Sequence, residues 1–158
     1  MRLFLAIDIP KELQERIKKI QEGIDLRLGR FAILNSRSIH LTLKFLGDVS
    51  ETEMSFLQDR LAQISFSSFQ TKTTHMGVFP SVQNPRVLWL GVEPVPELMQ
   101  LSSSIETKLS DYPSDHSFKP HLTLARIKHI PKENLKQLLE KSLNVDVPAF
   151  SFQVSEFT

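Results

Sequence analysis

One tetrapeptide occurs twice in this chain. His-Leu-Thr-Leu stands at residues 40–43 and again at residues 121–124, about half the chain apart. Each copy lies in an apolar run, residues 39–46 and 119–127, that reads as a strand. Side chains alternate between the two faces of a strand, so His and Thr share one face in each copy and the leucines take the other. A lone His-x-Thr says little. Two copies completed to the same tetrapeptide, each inside a predicted strand, constrain the fold far more. The remaining sequence reads as a frame that brings these strands together.

That frame is an alternation of strands and helices. Residues 2–9 alternate as a strand that Pro10 ends. Leu13, Ile17, Ile20 and Ile24 follow at helical spacing, which predicts a helix over residues 11–25. A short strand at 31–34 and a polar turn at 35–38 lead into the first motif strand. Ser50 and Glu53 form a capping-box pattern ahead of Met54, Leu57, Leu61 and Ile64. Residues 66–79 are strand-like with polar interruptions, 80–85 a loop and 86–93 a clear strand. Pro94 and Pro96 introduce a helix carrying Leu98, Leu101, Ile105 and Leu109. A polar loop at 111–117 precedes the second motif strand; Pro131 opens a fourth helix with Leu135, Leu138 and Leu139. A final alternating strand spans 149–157. Each motif strand is followed by a helix, which predicts an α+β fold of two similar lobes, antiparallel sheet inside and helices outside. The expected organisation is one bilobal domain over residues 1–158.

Composition removes several function classes. There is no cysteine, so no disulfide framework and no thiolate metal site. The first residues turn charged too soon for a signal peptide, and no apolar run reaches a membrane span, so a cytoplasmic protein is expected. A net charge of +1 argues against a broad surface for long nucleic acid, while leaving room for a nucleic acid end or a small phosphorylated ligand. His75, His116 and His129 are the remaining histidines; His116 and His121 are five apart with no third ligand at zinc spacing, His116 and His129 read as exposed polar residues, and no metal is expected. No glycine-rich phosphate loop is present.

Two imidazoles across one cleft can divide acid and base work near neutral pH. Threonine hydroxyls can donate to anionic oxygens. A strained phosphodiester needs that set: a base for water, an acid for the leaving alkoxide, and donors to the non-bridging oxygens. The residues alone therefore suggest phosphate-ester cleavage without a metal or other cofactor.

The same residues resemble those of the 2H phosphoesterase superfamily, which is named for two His-x-Thr-x signatures. Within it the chain looks like the bacterial and archaeal RNA 2′,3′-cyclic phosphodiesterases, also called 2′-5′ RNA ligases. The resemblance rests on residues 2–7 (RLFLAI), 40–47 (HLTLKFLG), 77–80 (GVFP), 86–89 (RVLW) and 121–126 (HLTLAR), in family order over nearly the whole chain. It implies a bilobal 2H fold with pseudo-two-fold symmetry about a central cleft. It implies hydrolysis of a 2′,3′-cyclic phosphate at an RNA end to a 2′-phosphomonoester, with reversible 2′-5′ ligation. Carried over, His40 is the proton donor and His121 the proton acceptor. Thr42 and Thr123 hold phosphate oxygens, and Arg126 contacts the phosphate. Lys44, Arg86 and Phe79 are further substrate-binding candidates, Phe79 through stacking. The expected partners are RNA ends or nucleotides bearing a 2′,3′-cyclic phosphate, bound by a monomer. The alternative function is a module holding nucleotides or RNA ends in the same cleft without turnover.

Two features sit awkwardly with this pattern. Strict alternation turns Arg126 away from the histidines, so it reaches the cleft only if the strand ends or bulges near Ala125. Lys44, by the same count, shares the face of His40 and Thr42. Relatives of this type also continue beyond the residue equivalent to Thr158, so a C-terminal strand or tail is expected to be missing, leaving a sheet edge open.

Overall fold

The computed structural model describes residues 1–158. The strands are β1 (Arg2–Asp8), β2 (Arg30–Ile33), β3 (His40–Asp48), β4 (Phe69–Pro80), β5 (Pro85–Val92), β6 (His121–His129) and β7 (Ser151–Val154). The helices are α1 (Lys11–Glu22), α2 (Glu51–Ala62), α3 (Pro96–Lys108) and α4 (Lys132–Leu143). A single 3₁₀ turn, Ser36–Ser38, precedes β3.

The helices form where the spacing places them, and for the expected reasons. Leu13, Ile17 and Gln21 are the buried stripe of α1, each four residues from the next. Gln21 is polar yet buried. Its amide donates to the carbonyls of Leu34 at 2.7 Å and Leu124 at 3.0 Å, so its burial carries no unmet hydrogen bond. At α2 the capping box is closed: Ser50 Oγ accepts from the Glu53 N–H, and the Glu53 carboxylate accepts from the Ser50 N–H. Leu98, Leu101 and Ile105 are the buried face of α3.

The strands form two antiparallel sheets. One pairs β1 with β3; the other has the order β2-β6-β5-β4-β7. The α+β class, the antiparallel sheets and the flanking helices agree with the sequence reading, but the sheets differ in size. β2 lies directly before β3 in the chain and pairs instead with β6. The final strand is also shorter than its alternation suggests. After Val154 the chain leaves the edge of β4 and crosses over, and Thr158 exchanges two backbone hydrogen bonds with Ala6, at 2.9 and 2.8 Å. The polar interruptions in β4 are buried hydroxyls with partners: Thr71 donates to the Glu93 carbonyl and Thr73 accepts from the Phe150 N–H. One apolar cluster of 24 buried residues draws on both sheets, with Leu5, Ile7, Leu41 and Leu43 from one and Leu88, Leu90, Leu122 and Leu124 from the other. The four motif leucines are at most 5% exposed, so truncating any of them to alanine costs about 2–5 kcal/mol.

Candidate active site

Both motif strands carry a bulge, and at the same residue of the tetrapeptide. Thr42 lies opposite Ala6 and Lys44 opposite Leu5, which leaves Leu43 as the extra residue. Thr123 lies opposite Trp89 and Ala125 opposite Leu88, which leaves Leu124 extra. The carbonyl of Leu124, outside the β5 ladder, accepts from the Leu34 N–H and from Gln21. Before each bulge alternation holds: the histidine and threonine are half-buried and the leucines buried. After it the phase reverses. Lys44 and Ala125 join the buried face, while Phe45 and Arg126 are exposed.

This reversal decides two of the candidates. Arg126 lies opposite Val87 and Ala32. Val87 alternates in phase with Trp89, which lies opposite Thr123. Arg126 therefore shares the face of His121 and Thr123, and none of the ion pairs engages it. Lys44 departs from the placement that strict alternation gave it. The bulge at Leu43 turns its side chain to α3, where the fully buried ammonium donates to both Glu106 carboxylate oxygens, at 2.9 and 3.0 Å, and to Ser114 Oγ at 2.9 Å. Burial works to raise the Glu106 pKa, but the bonds from Ser114 and Lys44 outweigh it and leave it lowered. Arg86 is exposed and is itself the extra residue of a bulge, between Pro85 opposite Pro80 and Val87 opposite Phe79, so alternation assigns it no face. Phe79 does reach the site.

The two histidines have different surroundings. His121 Nδ1 lies 2.6 Å from the Lys119 carbonyl. A carbonyl only accepts, so Nδ1 carries the proton and Nε2 keeps the lone pair when the ring is neutral. The Phe79 ring meets the imidazole at 4.9 Å and near right angles, and Trp89 lies 6.1 Å away. Burial pushes the His121 pKa below the ordinary histidine value. The Lys119 bond opposes that shift, and the charge of His116 adds to it. His40 is instead stacked on Phe4, ring centroids 4.7 Å apart and planes within 15°. Phe4 in turn lies 6.1 Å from Phe45, which is 69% exposed. The first motif strand thus ends in an aromatic ledge where the second presents a cation.

The loop leading to β6 is tied to β3, α3 and α2. Ser114 bonds Glu106 and Lys44, Asp111 forms a two-pronged pair with Arg60, and the Tyr112 hydroxyl donates to Glu53. Of the other histidines, His116 is exposed and paired with Asp115 at 2.5 Å, and His129 is exposed at the end of β6. His75 meets the edge of Trp89 at 5.8 Å. No group of three or more His, Asp or Glu side chains is arranged to hold a metal ion. No helix is long and apolar enough to cross a membrane. Trp89, Phe4 and Phe45 stand beside the candidate histidines, or beside a ring that does, and were passed over in the sequence reading. The spacing of Phe45 from His40 matches that of Arg126 from His121 and was the one available signal.

An α+β fold of two antiparallel sheets, with a His-x-Thr strand in each and both histidines and threonines on like faces, defines a two-histidine phosphoesterase. The chain belongs to the 2′-5′ RNA ligase superfamily, whose family model matches residues 9–158. It is 34% identical over 153 residues to the RNA 2′,3′-cyclic phosphodiesterase of Methanocaldococcus jannaschii, covering 95% of this chain and 86% of that one. It is 32% identical over 161 residues to the protein of the same name from Thermotoga maritima, covering 99% and 84%. Among solved structures it resembles Escherichia coli LigT complexed with 3′-AMP, with a TM-score of 0.75 and 29% identity, covering 99% of this chain and 85% of LigT.

Proposed function

We propose that this chain hydrolyses the 2′,3′-cyclic phosphate at an RNA end to a 2′-phosphomonoester, with His121 as base and His40 as acid. The observation that carries the proposal is the unequal setting of the two imidazoles. His121 is half-buried, its Nδ1 proton held by Lys119 and its pKa lowered, which favours the neutral ring a base needs. Its Nε2 takes a proton from water as the water oxygen bonds to phosphorus. The bond from phosphorus to O3′ breaks, and His40 delivers a proton to that oxygen. Thr42 and Thr123 hydroxyls donate to the non-bridging oxygens, and Arg126 meets the charge that builds there. A 5′-hydroxyl in place of water gives a 2′-5′ linkage with the same division of roles. The exposed Phe45 and Phe4 offer the terminal base a stacking surface on the acid's side. The names carried by the relatives support the same reading.

The test is phosphorus NMR of a short RNA ending in a 2′,3′-cyclic phosphate, mixed with the protein in EDTA. A 2′-phosphomonoester is expected, formed about 10²- to 10⁴-fold more slowly by His40→Ala and by His121→Ala. A 3′-phosphate would mean that the opposite ribose oxygen leaves. Saturable binding with an intact cyclic phosphate would identify a binding module instead.

A further inference from the structure

Three rings close a triangle beside the candidate base. Phe79 lies 4.9 Å from His121 and 4.9 Å from Trp89, and Trp89 lies 6.1 Å from His121. The backbone around them is shaped to admit the indole. Trp89 pairs with Gly77 on β4, and a Cβ there would come within 2.2 Å of the indole carbons Cη2 and Cζ2. Only a glycine lets the ring lie against that strand. The residue directly opposite His121 is Gly91, where a Cβ would meet Thr74 Oγ1 at 2.4 Å and Trp89 Cζ3 at 3.3 Å. No side chain from the facing position thus supports the imidazole, and the Trp89 ring comes from the diagonal instead. The indole N–H is buried without an acceptor, which costs stability. The fold tolerates that cost at a ring standing against a catalytic side chain.

We propose that Trp89 and Phe79 are positioning residues for His121: together with the Lys119 carbonyl they fix its ring plane and keep its flank free of water, so that Nε2 points into the cleft as a free lone pair. This rests on the reading of His121 as the base. Phe79 then serves the imidazole edge-to-face rather than a nucleobase. The titratable and charged groups on the elements that meet His121 are His116 in the preceding loop, Arg126 on its own strand, His75 behind Trp89 on β4, and His40 on β3, the strand of the other sheet that touches β6. The facing strand β5 brings none, since Gly91 and Trp89 carry no charge. Loss of the aromatic flank therefore changes the hydration of His121 without removing a charged neighbour.

The experiment has two arms on the intact protein. The first follows His121 by long-range ¹H–¹⁵N NMR titration, which needs no turnover. In the parent protein a single tautomer protonated at Nδ1 is expected, titrating below the ordinary value of about 6.5. In Phe79→Leu and Trp89→Leu the tautomers should mix and the midpoint should rise toward that value. The second arm measures kinetics on a cyclic-phosphate RNA. Here kcat should fall ~10- to 100-fold with KM within about threefold, the cost of a misaligned group. The acid limb of kcat/KM should move up with the NMR midpoint. Trp89→Phe should recover part of both effects. A parent His121 with mixed tautomers or a midpoint at or above ~6.5 would overturn the proposal. Unchanged titration and kcat in folded variants would do the same. If Trp89→Leu does not fold, Phe79→Leu and the parent titration decide. If the protein turns over no cyclic phosphate, the proposed reaction fails while the NMR arm still tests the positioning.

Discussion

His40 and His121 sit in the same tetrapeptide, yet one ring is stacked on an exposed phenylalanine and the other is wedged between aromatic rings and a backbone carbonyl. The difference predicts the pH profile. A base works only when deprotonated, so the acid limb of kcat/KM reports His121. Its pKa is lowered, chiefly by burial, so activity should persist to pH values below the ordinary histidine midpoint of about 6.5 before falling away. An acid limb at or above that value would contradict the assignment. Arg126→Ala should cost ~10²- to 10³-fold in kcat, as the loss of a donor to developing charge does. Arg126→Lys should recover only part, since an ammonium lacks the two-pronged fit to phosphate. The histidines, the threonines and the motif leucines were legible from alternation alone. Arg126 and Lys44 were not, because alternation assumes one residue facing one residue, and the bulges at Leu43 and Leu124 break that count.

At the scale of elements, helices were read more securely than strand partners. Apolar spacing located α1 through α4, and the Ser50–Glu53 pattern closes as a capping box; Ser50→Ala should lower the unfolding free energy by about 1 kcal/mol. A strand's partner depends on packing that local sequence does not encode, which is why β2 could not be assigned to β6 in advance. The Lys44–Glu106 pair ties β3 to α3 and makes a directional prediction. Lys44 is fully buried, whereas the Glu106 side chain is 39% exposed. Glu106→Gln strips a buried ammonium of its counter-charge, a loss that costs up to about 3–5 kcal/mol at fully buried pairs. Lys44→Met leaves a carboxylate that water can reach. In denaturant unfolding Glu106→Gln should therefore be the less stable variant, and the reverse order would show that water reaches Lys44.

On the scale of the whole molecule, the two sheets share one apolar cluster, the chain leaves β1's sheet to place β2 beside β6 and comes back for β3, and Thr158 returns to β1. A single unfolding transition is expected, with Trp89 fluorescence and far-ultraviolet circular dichroism coinciding; two separated transitions would mean lobes that fold independently. Acid should weaken this unit partly through Asp25, which joins the end of α1 to α4 through Lys141. The side-chain bond from Arg27, followed by that from Lys141, holds the Asp25 pKa well below the usual carboxylate range. The folded state thus binds that proton less readily than the unfolded chain does. The contribution is complete above about pH 4 and is lost as pH falls toward the folded value. Asp25→Asn should be less stable at neutral pH, and its deficit should shrink on acidification.

The paired bulges also set a rule for how such a cleft can change its diet. The tetrapeptide is the fixed grammar of each strand, and the second residue past it is a separate word, exposed because the bulge reverses the phase. Here one strand says phenylalanine and the other arginine, so the cleft has a greasy bank and a charged one. On the proposed function, a single codon at position 45 exchanges the greasy bank for a second cation and retunes recognition toward more heavily phosphorylated ends, with both motif histidines left in place.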